Sequence, residues 1–364
     1  MAFTPFLFLF FWLNLYYNVC GDNYMQSIYN YSEEMLKEYL INLGLKPFRS
    51  KQIIEWLYRK KVKSFDEMTN ISKDFIAKLK EDFYIDLLKC VVNQKSSDGT
   101  QKFLFELNDG NLIESVLMNN DYGYSICVTS EVGCNMGCVF CASGMKKKLR
   151  NLETSEMVKQ ILTVEEIAGI KITHIVVMGI GEPFDNYENV LNFFRIVNNP
   201  LGLEIGSRHI TVSTCGLVDK IKEFALFPLQ VNLALSLHAP TQEIRQEIMP
   251  IAKAYSLDKV IDAIKYYIDK TNRRVTLEYI LLRDLNDTKE CANKLADLIH
   301  GLNVYVNLIP YNEVKEKPYK RSEKSSMVEF FDILKKRHIN VQLRREQGSD
   351  IDAACGQLRS KHMA

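Results

Sequence analysis

The spacing of apolar residues divides this chain into three stretches. Between Ser32 and Phe83 apolar residues recur every three or four positions, which predicts amphipathic helices. From Leu87 to Ser130 apolar and polar residues alternate, and turn sequences at 97–99 and 108–110, each ending in Asp-Gly, interrupt the alternation. These two stretches predict a small helical domain followed by an antiparallel β extension.

Beyond residue 150, short apolar runs alternate with longer amphipathic ones, which is the pattern of a β/α fold. Strands are predicted near 172–178, 208–213, 229–236, 273–281 and 303–309. Helices are predicted near 155–168, 187–197, 218–225, 256–270, 288–299 and 325–337. With the strand that ends at Ser130, these elements make six β/α units. We therefore predict an α/β fold, a partial (β/α)6 barrel, with its site at the carboxyl ends of the strands.

The first stretch also carries helix boundary signals. Ser32 precedes two glutamates as an N-cap does, and Gly44 stands where a glycine commonly ends a helix. A second helix is predicted from about Arg49 to Lys60. Ser64 and Glu67 have the spacing of a capping box, and Ser72 is placed to cap a third helix. The second of these helices is basic, and we predict that it contacts RNA.

Composition narrows the class of protein without fixing its function. The 364 residues are 47% hydrophobic and 25% charged, typical of a globular chain with one large domain or two. The net charge is only +1, yet bases cluster locally: seven against one acid over 46–63, five against two over 315–324, and four within 146–150. Basic patches on a near-neutral protein fit a nucleic-acid backbone that meets one face. For any one cluster, the alternative is a solvated lysine-rich surface.

Residues 1–24 differ from the rest of the chain, since they are dense in aromatic and aliphatic residues. A transmembrane anchor or a signal sequence is one interpretation. We favour an upstream extension of the reading frame, with Met25 as the start of a conventional soluble protein. The chain has nine cysteines at irregular spacing, which argues against a secreted disulfide framework and for the reducing cytoplasm.

Three of the cysteines, Cys134, Cys138 and Cys141, form a C-x3-C-x2-C motif. Thiolates are soft ligands that favour iron–sulfur clusters or zinc. Three ligands would leave one iron of a four-iron cluster open to a substrate, whereas the alternative, a zinc knuckle, usually has four protein ligands. With Phe140 before its last cysteine, the motif resembles that of the radical S-adenosylmethionine (SAM) superfamily, in which SAM chelates the open iron.

Polar or glycine residues follow several predicted strands and are candidate SAM contacts. The Gly-Glu pair after the strand at 172–178 resembles the contact that radical SAM proteins make with the amino group of SAM. Each of the other positions, taken alone, could be a routine polar strand end. Because all of them fall on one rim of the predicted barrel, we expect them to bind SAM together; they are Gly181, Glu182, Ser213, Ser236, Leu237, His238 and Asn312.

The C-terminal tail carries one more cysteine, Cys355, among small and polar residues that leave it accessible. The tail sequence from Asp350 to Leu358, the cysteine loop, the Gly-Glu-Pro and the Ser-Leu-His together resemble the RlmN/Cfr family of radical SAM RNA methyltransferases. The resemblance runs from about Met25 to Leu358. It divides the chain into an N-terminal helical accessory domain at 25–85, a β extension at 86–122, the partial barrel at 123–344 and the tail at 345–364.

The resemblance implies a mechanism that adenine chemistry makes necessary, because an electron-poor ring carbon does not accept a methyl group by ordinary polar transfer. One [4Fe-4S] cluster per chain, held by three cysteines, and two SAM molecules per turnover are implied. Cys355 receives the first methyl group, which is then activated by a radical and added to the ring. Cys127 resolves the resulting protein–RNA adduct through a transient disulfide with Cys355. Glu114 matches the proton acceptor of the family, a role that sequence alone leaves open between Glu114 and Cys127.

The implied substrates are an adenosine of 23S rRNA at the peptidyl-transferase centre and the adenosine 3′ of the anticodon in some tRNAs, methylated at C2. The sister C8-methylating resistance enzyme is an alternative, and Pro183 favours the C2 enzyme because the sister typically has alanine there. A non-catalytic iron–sulfur or zinc RNA-binding protein is a third interpretation, which leaves Cys127 and Cys355 unexplained. We further expect a cytoplasmic monomer, an electron donor such as flavodoxin or ferredoxin, and no membrane partner. Cys90, Cys215 and Cys291 are interpreted as packing residues.

Overall fold

The computed structural model describes residues 25–362, so the predictions made for residues 1–24, including Cys20, lie outside it. The helices are α1 Glu33–Asn42, α2 Arg49–Ile54, α3 Lys73–Asp82, α4 Thr154–Ala168, α5 Tyr187–Asn198, α6 Val218–Phe224, α7 Gln242–Ile248, α8 Leu257–Thr271, α9 Lys289–Leu298, α10 Lys324–Lys336 and α11 Gln357–His362. The strands are β1 Gln26–Ser27, β2 Phe83–Tyr84, β3 Lys89–Lys95, β4 Gln101–Glu106, β5 Leu112–Asn120, β6 Gly123–Cys127, β7 Glu131–Val132, β8 Arg150–Asn151, β9 Ile172–Val177, β10 Ile210–Thr214, β11 Asn232–Ser236, β12 Val275–Leu281, β13 Val304–Pro310 and β14 Val341–Leu343.

One ten-stranded sheet organises the fold, in the order β14-β13-β12-β11-β10-β9-β6-β5-β4-β3. Strands β6 and β9 to β14 run parallel, whereas β3, β4 and β5 join β6 as an antiparallel meander. The six predicted β/α units correspond to β6 and β9 to β13, and the α/β prediction is confirmed. The short edge strand β14 was not predicted, because three residues carry too little pattern to be recognised.

The strand that was predicted to reach Ser130 instead ends at Cys127. Beyond it the backbone turns toward neighbouring loops, and the Thr129 hydroxyl donates to the carbonyl of Glu114 at 2.6 Å. Helix α7 was also missed. It has seven residues, and Thr241 caps it through a hydroxyl that accepts from the Ile244 N–H at 3.4 Å.

The N-terminal helices match their predicted boundary signals in part. The Ser32 hydroxyl accepts from the Met35 N–H at 3.3 Å and caps α1. The capping box of Ser64 forms, but it begins only a 3-10 turn, and the Ser72 hydroxyl caps nothing although α3 starts after it. The second helix ends at Ile54 and continues as a π-helical turn to Arg59. Within residues 25–362 no helix is long and apolar enough to cross a bilayer.

The basic end of the second helix contacts the β/α part of the chain. Arg59 donates to the carbonyl of Pro200 at 2.6 Å, and Lys61 pairs with the buried carboxylate of Glu165 at 2.8 Å. The Lys60 ammonium lies 3.5 Å from the centre of the Trp56 ring. These three bases, which the sequence suggested as RNA contacts, therefore already bind protein groups.

Candidate functional site

The three-cysteine motif lies on a loop that packs across the carboxyl ends of the parallel strands. The Val139 N–H donates to the carbonyl of Ile248 at 3.0 Å, and the Tyr311 hydroxyl donates to the carbonyl of Phe140 at 3.2 Å. At the start of the loop, Gly133 has a φ of +87°, and a Cβ there would lie 2.3 Å from the carbonyl oxygen of Lys147. Only glycine fits that turn, and so Gly133 allows the start of the loop to pack against the backbone at Lys147.

The loop brings its three thiols into one electrostatic environment. Burial raises the pKa of the Cys134 thiol to about 12 and raises the pKa values of Cys138 and Cys141 as well. The charge on Cys138 is further disfavoured by Cys141 and then Cys134, so the thiols lie near one another. Three neighbouring, half-buried thiolates require a cation, and soft sulfur donors suit iron. These residues therefore fit an iron–sulfur cluster.

Among residues 25–362, no three His, Cys, Asp or Glu side chains form a group that could hold a single metal ion. A four-iron cluster is wider than one ion, so this finding does not bear on the cluster. A single zinc ion bound tetrahedrally by thiolates would hold their sulfurs about 3.8 Å apart, from Zn–S distances of about 2.3 Å. A four-iron cluster, being wider, would hold the same three sulfurs farther apart.

A buried arginine lies beside the cysteine loop. The side chain of Arg245 is 0% exposed, and one of its nitrogens donates to the carbonyl of Cys215 at 2.6 Å. Its Nε and Nη1 have no hydrogen-bond partner within the described part of the chain. Burial lowers the pKa of Arg245, and Cys215 and Cys138, when ionised to thiolates, oppose that shift. Arg245 thus places a positive charge next to the loop that would carry the cluster.

His238 is held neutral on the other side of the loop. Burial, followed by the charge of Arg245, lowers the pKa of His238 to about 3. Its Nδ1 accepts from the Ile280 N–H at 3.1 Å, which leaves the ring proton on Nε2. The Phe140 ring meets the imidazole edge-on at 5.1 Å. Phe140 is itself 8% exposed, as expected for a residue that shields the loop from water.

The Gly-Glu pair after β9 joins neighbouring strand ends. The Glu182 carboxylate is buried and accepts from the N–H of Phe184 at 3.1 Å and of Cys215 at 2.7 Å. Burial raises its pKa, although these amides oppose that shift. At Gly181 the φ is +112°, and a Cβ would lie 2.6 Å from the side chain of Glu131. Glu182 therefore has a structural role, and its contact with SAM stays a prediction.

The remaining predicted SAM contacts also stand at or beyond strand ends. The Ser213 hydroxyl donates to the carbonyl of Val177 at 3.2 Å. Ser236 is half-buried at the end of β11, and Asn312 is exposed after β13. Leu237 is 0% exposed with its side chain in the core, so only its backbone is placed to meet a ligand. Apart from Leu237, these side chains share one edge of the sheet, and their binding of SAM is untested.

The C-terminal tail returns to the antiparallel extension and docks on the turn between β3 and β4. The Asp350 carboxylate accepts from the Ser97 N–H at 3.0 Å, and the Gly348 N–H donates to Asp98 at 2.7 Å. Asp352 exchanges two hydrogen bonds with Gln94, at 3.1 and 3.0 Å. The β extension therefore carries the tail, and with it Cys355, back to the barrel.

A buried ion pair fixes the segment around Cys355. Lys102 on β4 and Glu114 on β5 are diagonal neighbours across the two strands, 1% and 3% exposed, with a nitrogen–oxygen distance of 2.6 Å. The Glu114 carboxylate also accepts from the N–H groups of Gly356 (2.8 Å) and Arg359, and so caps α11. Lys102 reaches across to the carbonyl of Ala354 at 3.2 Å. We call Lys102 and Glu114 the tail clamp.

The clamp holds Cys355 next to Cys127, which is 228 residues away in the chain (355 minus 127). Both cysteines are free thiols in this structure. The side-chain hydrogen bond from Cys127, then the charges of Lys102 and Arg344, lowers the pKa of Cys355 against the opposing effect of burial. The same contact raises the pKa of Cys127. The Cys355 thiol also donates to the carbonyl of Met178 at 3.4 Å. A thiolate on Cys355 is thus favoured by the Cys127 thiol and by the charge of Lys102.

The cysteines that were predicted to have packing roles differ in burial and in position. Cys291 is buried in the main core, but Cys90 is only half-buried. Cys215 packs with Phe140 and Tyr311 under the cysteine loop. Sequence reasoning missed Lys102, Arg245 and Arg344 altogether, since no motif marks them. For Lys102, the only available signal was a lysine directly before the apolar residues of β4.

Comparisons with known proteins agree with this geometry. Two family models match the chain, the N-terminal domain of ribosomal RNA large subunit methyltransferase over residues 26–85 and the radical SAM superfamily over 129–299. A Spiroplasma citri protein named "Probable dual-specificity RNA methyltransferase RlmN" is 56% identical over 93% of this chain and 98% of that protein. A protein of the same name from Acholeplasma laidlawii (strain PG-8A) is 55% identical over 92% and 99%.

A solved structure shares the architecture. The crystal structure of a radical SAM methyltransferase from Sphaerobacter thermophilus superposes with a TM-score of 0.86 at 40% identity, covering 91% of this chain and 98% of that chain. Its coverage includes nearly all of the part of this chain described above. The sheet, the cysteine loop and the similarity along almost the whole length lead to one conclusion: the chain belongs to the RlmN family of the radical SAM superfamily.

Proposed function

We propose that this protein methylates C2 of a specific adenosine in 23S rRNA and of the adenosine 3′ of the anticodon in some tRNAs. The relatives are named dual-specificity RNA methyltransferases, which supports RNA as the substrate. The single observation that carries the mechanism is the contact between Cys355, on the docked tail, and Cys127, at the end of β6. A protein that only bound RNA would not need two thiols held in this way.

Radical SAM membership implies SAM and a [4Fe-4S] cluster. In our proposal Cys134, Cys138 and Cys141 hold one cluster per chain, and the charge of Arg245 offsets part of their negative charge. When bound, the cluster supplies the electron that cleaves SAM, and SAM supplies a methyl group in one half-reaction and hydrogen abstraction in the other. The residues that would bind SAM are Gly181, Glu182 and the strand-end residues 213, 236–238 and 312. Because each half-reaction uses one SAM, two molecules are used per turnover.

The chain's own residues then divide the work. Cys355, as a thiolate, takes a methyl group and becomes a thioether. After one hydrogen atom leaves that methyl group, its carbon bonds to C2 of the adenine. The radical adduct would return one electron to the cluster that Cys134, Cys138 and Cys141 hold, and the C2 proton passes to a base. The Cys127 thiolate attacks the Cys355 sulfur, which forms a disulfide and releases the carbon as a methyl group once it takes up a proton.

Glu114 is the proposed proton acceptor, and its contacts constrain when it can act. Both carboxylate oxygens accept from tail amides while Lys102 neutralises the charge. Both oxygens are therefore already occupied as hydrogen-bond acceptors, and an incoming proton would have to displace one of these contacts. We infer that proton transfer to Glu114 requires the segment around Gly356 to shift, and that Cys127 is the alternative acceptor.

Several further expectations belong to the same proposal. Residues 25–85 form the accessory domain, 86–122 the β extension, 123–344 the barrel and 345–364 the tail. The enzyme acts as a cytoplasmic monomer with no membrane partner and receives electrons from a donor such as flavodoxin or ferredoxin. Basic residues at 46–63, 146–150 and 315–324 are the candidate RNA contacts, apart from those already paired within the protein.

The decisive experiment is anaerobic turnover of a 23S rRNA fragment with SAM and a reductant, followed by mass spectrometry of the nucleosides. We expect 2-methyladenosine, and 8-methyladenosine would identify the C8 enzyme instead. The peptide containing Cys355 should gain about 14 Da, the mass of a methylene, before RNA is added. Absence of any methylated adenosine, with the cluster intact, would refute the proposal.

The resolving role of Cys127 has its own test. Cys127→Ala should still accept the methyl group on Cys355, but it should stall as a covalent protein–RNA adduct. The matched control is Cys291→Ala, which removes another buried thiol, on α9, that has no contact with Cys355 in this mechanism. Normal turnover by Cys127→Ala without trapped RNA would assign Cys127 to packing.

A further inference from the structure

A positively charged cavity opens at the carboxyl ends of β13 and β14. It has a volume of about 400 Å³ and lies between β14 and the start of α10. Four cationic side chains and two carboxylates line it: Arg283, Arg321, Lys324 and Arg344, with Glu323 and Glu346. The N-terminus of α10, a helix of 13 residues, adds partial positive charge at the same place.

The carboxylates neutralise only part of this charge. Glu323 pairs with Arg283 at 2.7 Å, and Glu346 forms a two-pronged ion pair with Arg321. Among the described residues, no carboxylate lies close enough to Arg344 or to Lys324 to form an ion pair with it. Both side chains are exposed. The cavity therefore presents two available cations to an anionic ligand.

The backbone aims Arg344 at the site. Its N–H donates to the carbonyl of Leu308 at 2.8 Å, and Leu308 pairs with Leu343 in the parallel register of β13 and β14. Arg344 thus leaves the sheet at the carboxyl edge, where the site lies. The charge of Arg344 favours the ionised forms of Cys127, Cys355 and the buried Glu278, so the guanidinium lies within electrostatic range of the two thiols.

We propose that Arg344 and Lys324 bind a backbone phosphate of the substrate RNA beside the adenosine presented to Cys355. This inference rests on the proposed function, which it deepens by naming a substrate contact. Guanidinium groups bind phosphate oxygens through two parallel hydrogen bonds. Phosphate contacts fix position without reading sequence. One such contact can therefore serve both an rRNA and a tRNA substrate.

The test measures RNA affinity of the anaerobically purified holoenzyme. An rRNA hairpin and a tRNA anticodon stem-loop are titrated at several salt concentrations with wild type, Arg344→Gln and Lys336→Gln. Lys336 is the matched control, since it is an exposed cation at the far end of α10, about 18 Å away along the helix and beyond the Debye length. Arg344→Gln should weaken both RNAs about tenfold and lower the salt slope by about 0.7 to 0.9. Lys336→Gln should stay within about twofold of wild type.

Three other results would overturn the assignment. Equal weakening by both variants would mean a diffuse field, and unchanged RNA affinity in Arg344→Gln would remove the contact. Loss of SAM affinity, with RNA affinity intact, would assign the cavity to the SAM carboxylate. If Arg344→Gln does not fold, Lys324→Gln tests the same cavity from the exposed helix start. Failure of the proposed function is distinguishable, because wild-type enzyme would then form no methylated adenosine.

Discussion

Replacing Lys102 by methionine tests whether the tail clamp positions Cys355. Methionine keeps most of the side-chain volume but leaves the Glu114 carboxylate, 3% exposed, without its counter-charge. Removing one partner of a buried ion pair costs about 3–5 kcal/mol. The bond from Lys102 to the Ala354 carbonyl is lost as well, and its contribution is contained in that range.

The free energy of docking the tail should become less favourable by the same amount, because two tail amides donate to Glu114. At about 1.4 kcal/mol for each factor of ten, the docked fraction relative to the undocked one should fall by about 10² to about 4 × 10³. Hydrogen–deuterium exchange at the amides of Gly356 and Arg359 measures this directly, since these groups donate to the clamp. We expect their protection to fall by about two orders of magnitude or more in Lys102→Met.

The matched control is Lys361→Met, which breaks the ion pair of the tail with Asp352. Lys361 is 70% exposed, and a pair of that kind contributes about 0–1 kcal/mol. A second variant, Lys102→Met with Glu114→Gln, removes both charges and should be less destabilised than Lys102→Met alone. Unchanged exchange at both amides in Lys102→Met, despite a lower melting temperature, would show that Lys102 stabilises the sheet without positioning the tail.

Three other predictions address the loop, the thiol pair and the N-terminal helices. Alanine at Cys134, Cys138 or Cys141 should abolish the visible absorbance of the cluster and all SAM cleavage, and wild-type iron content in any of the three would contradict the ligand assignment. Because folding lowers the pKa of Cys355, the thiolate should react fast with iodoacetamide near neutral pH, and both this reactivity and its contribution to stability should be lost as the pH falls through the folded-state value. Cys127→Ala should move that midpoint upward, and an unmoved midpoint would mean that Cys127 does not donate to Cys355. Lys61→Glu should lower the melting temperature by facing the buried Glu165, whereas Lys46→Glu on the exposed loop should not; equal melting would refute the packing role of Lys61.

Local pattern was sufficient for most of the framework. Parallel strands such as β12 are short, mostly apolar runs that are buried or half-buried at every residue. They stand out from the longer amphipathic helices around them, and so their positions were predicted within a few residues. The same holds for the three-cysteine loop, because ligand spacing within one short segment does not depend on the rest of the fold. Two short elements were missed: β14 has only three residues, and the seven residues of α7 include only two apolar ones, so neither shows a clear period.

Contacts between distant parts of the chain were beyond the reach of pattern. The amino-acid order by itself determined the β/α framework, the loop of three thiols and, by resemblance, which two further cysteines matter. Only the tertiary structure decided that Lys102 and Glu114 clamp the tail, that Cys355 meets Cys127, and that the bases at 59–61 are engaged with protein groups. The physical reason is that a side chain's pKa, charge partner and exposure depend on which residues pack around it. Those neighbours come from strands and tails that the fold, and not the order of residues, brings together.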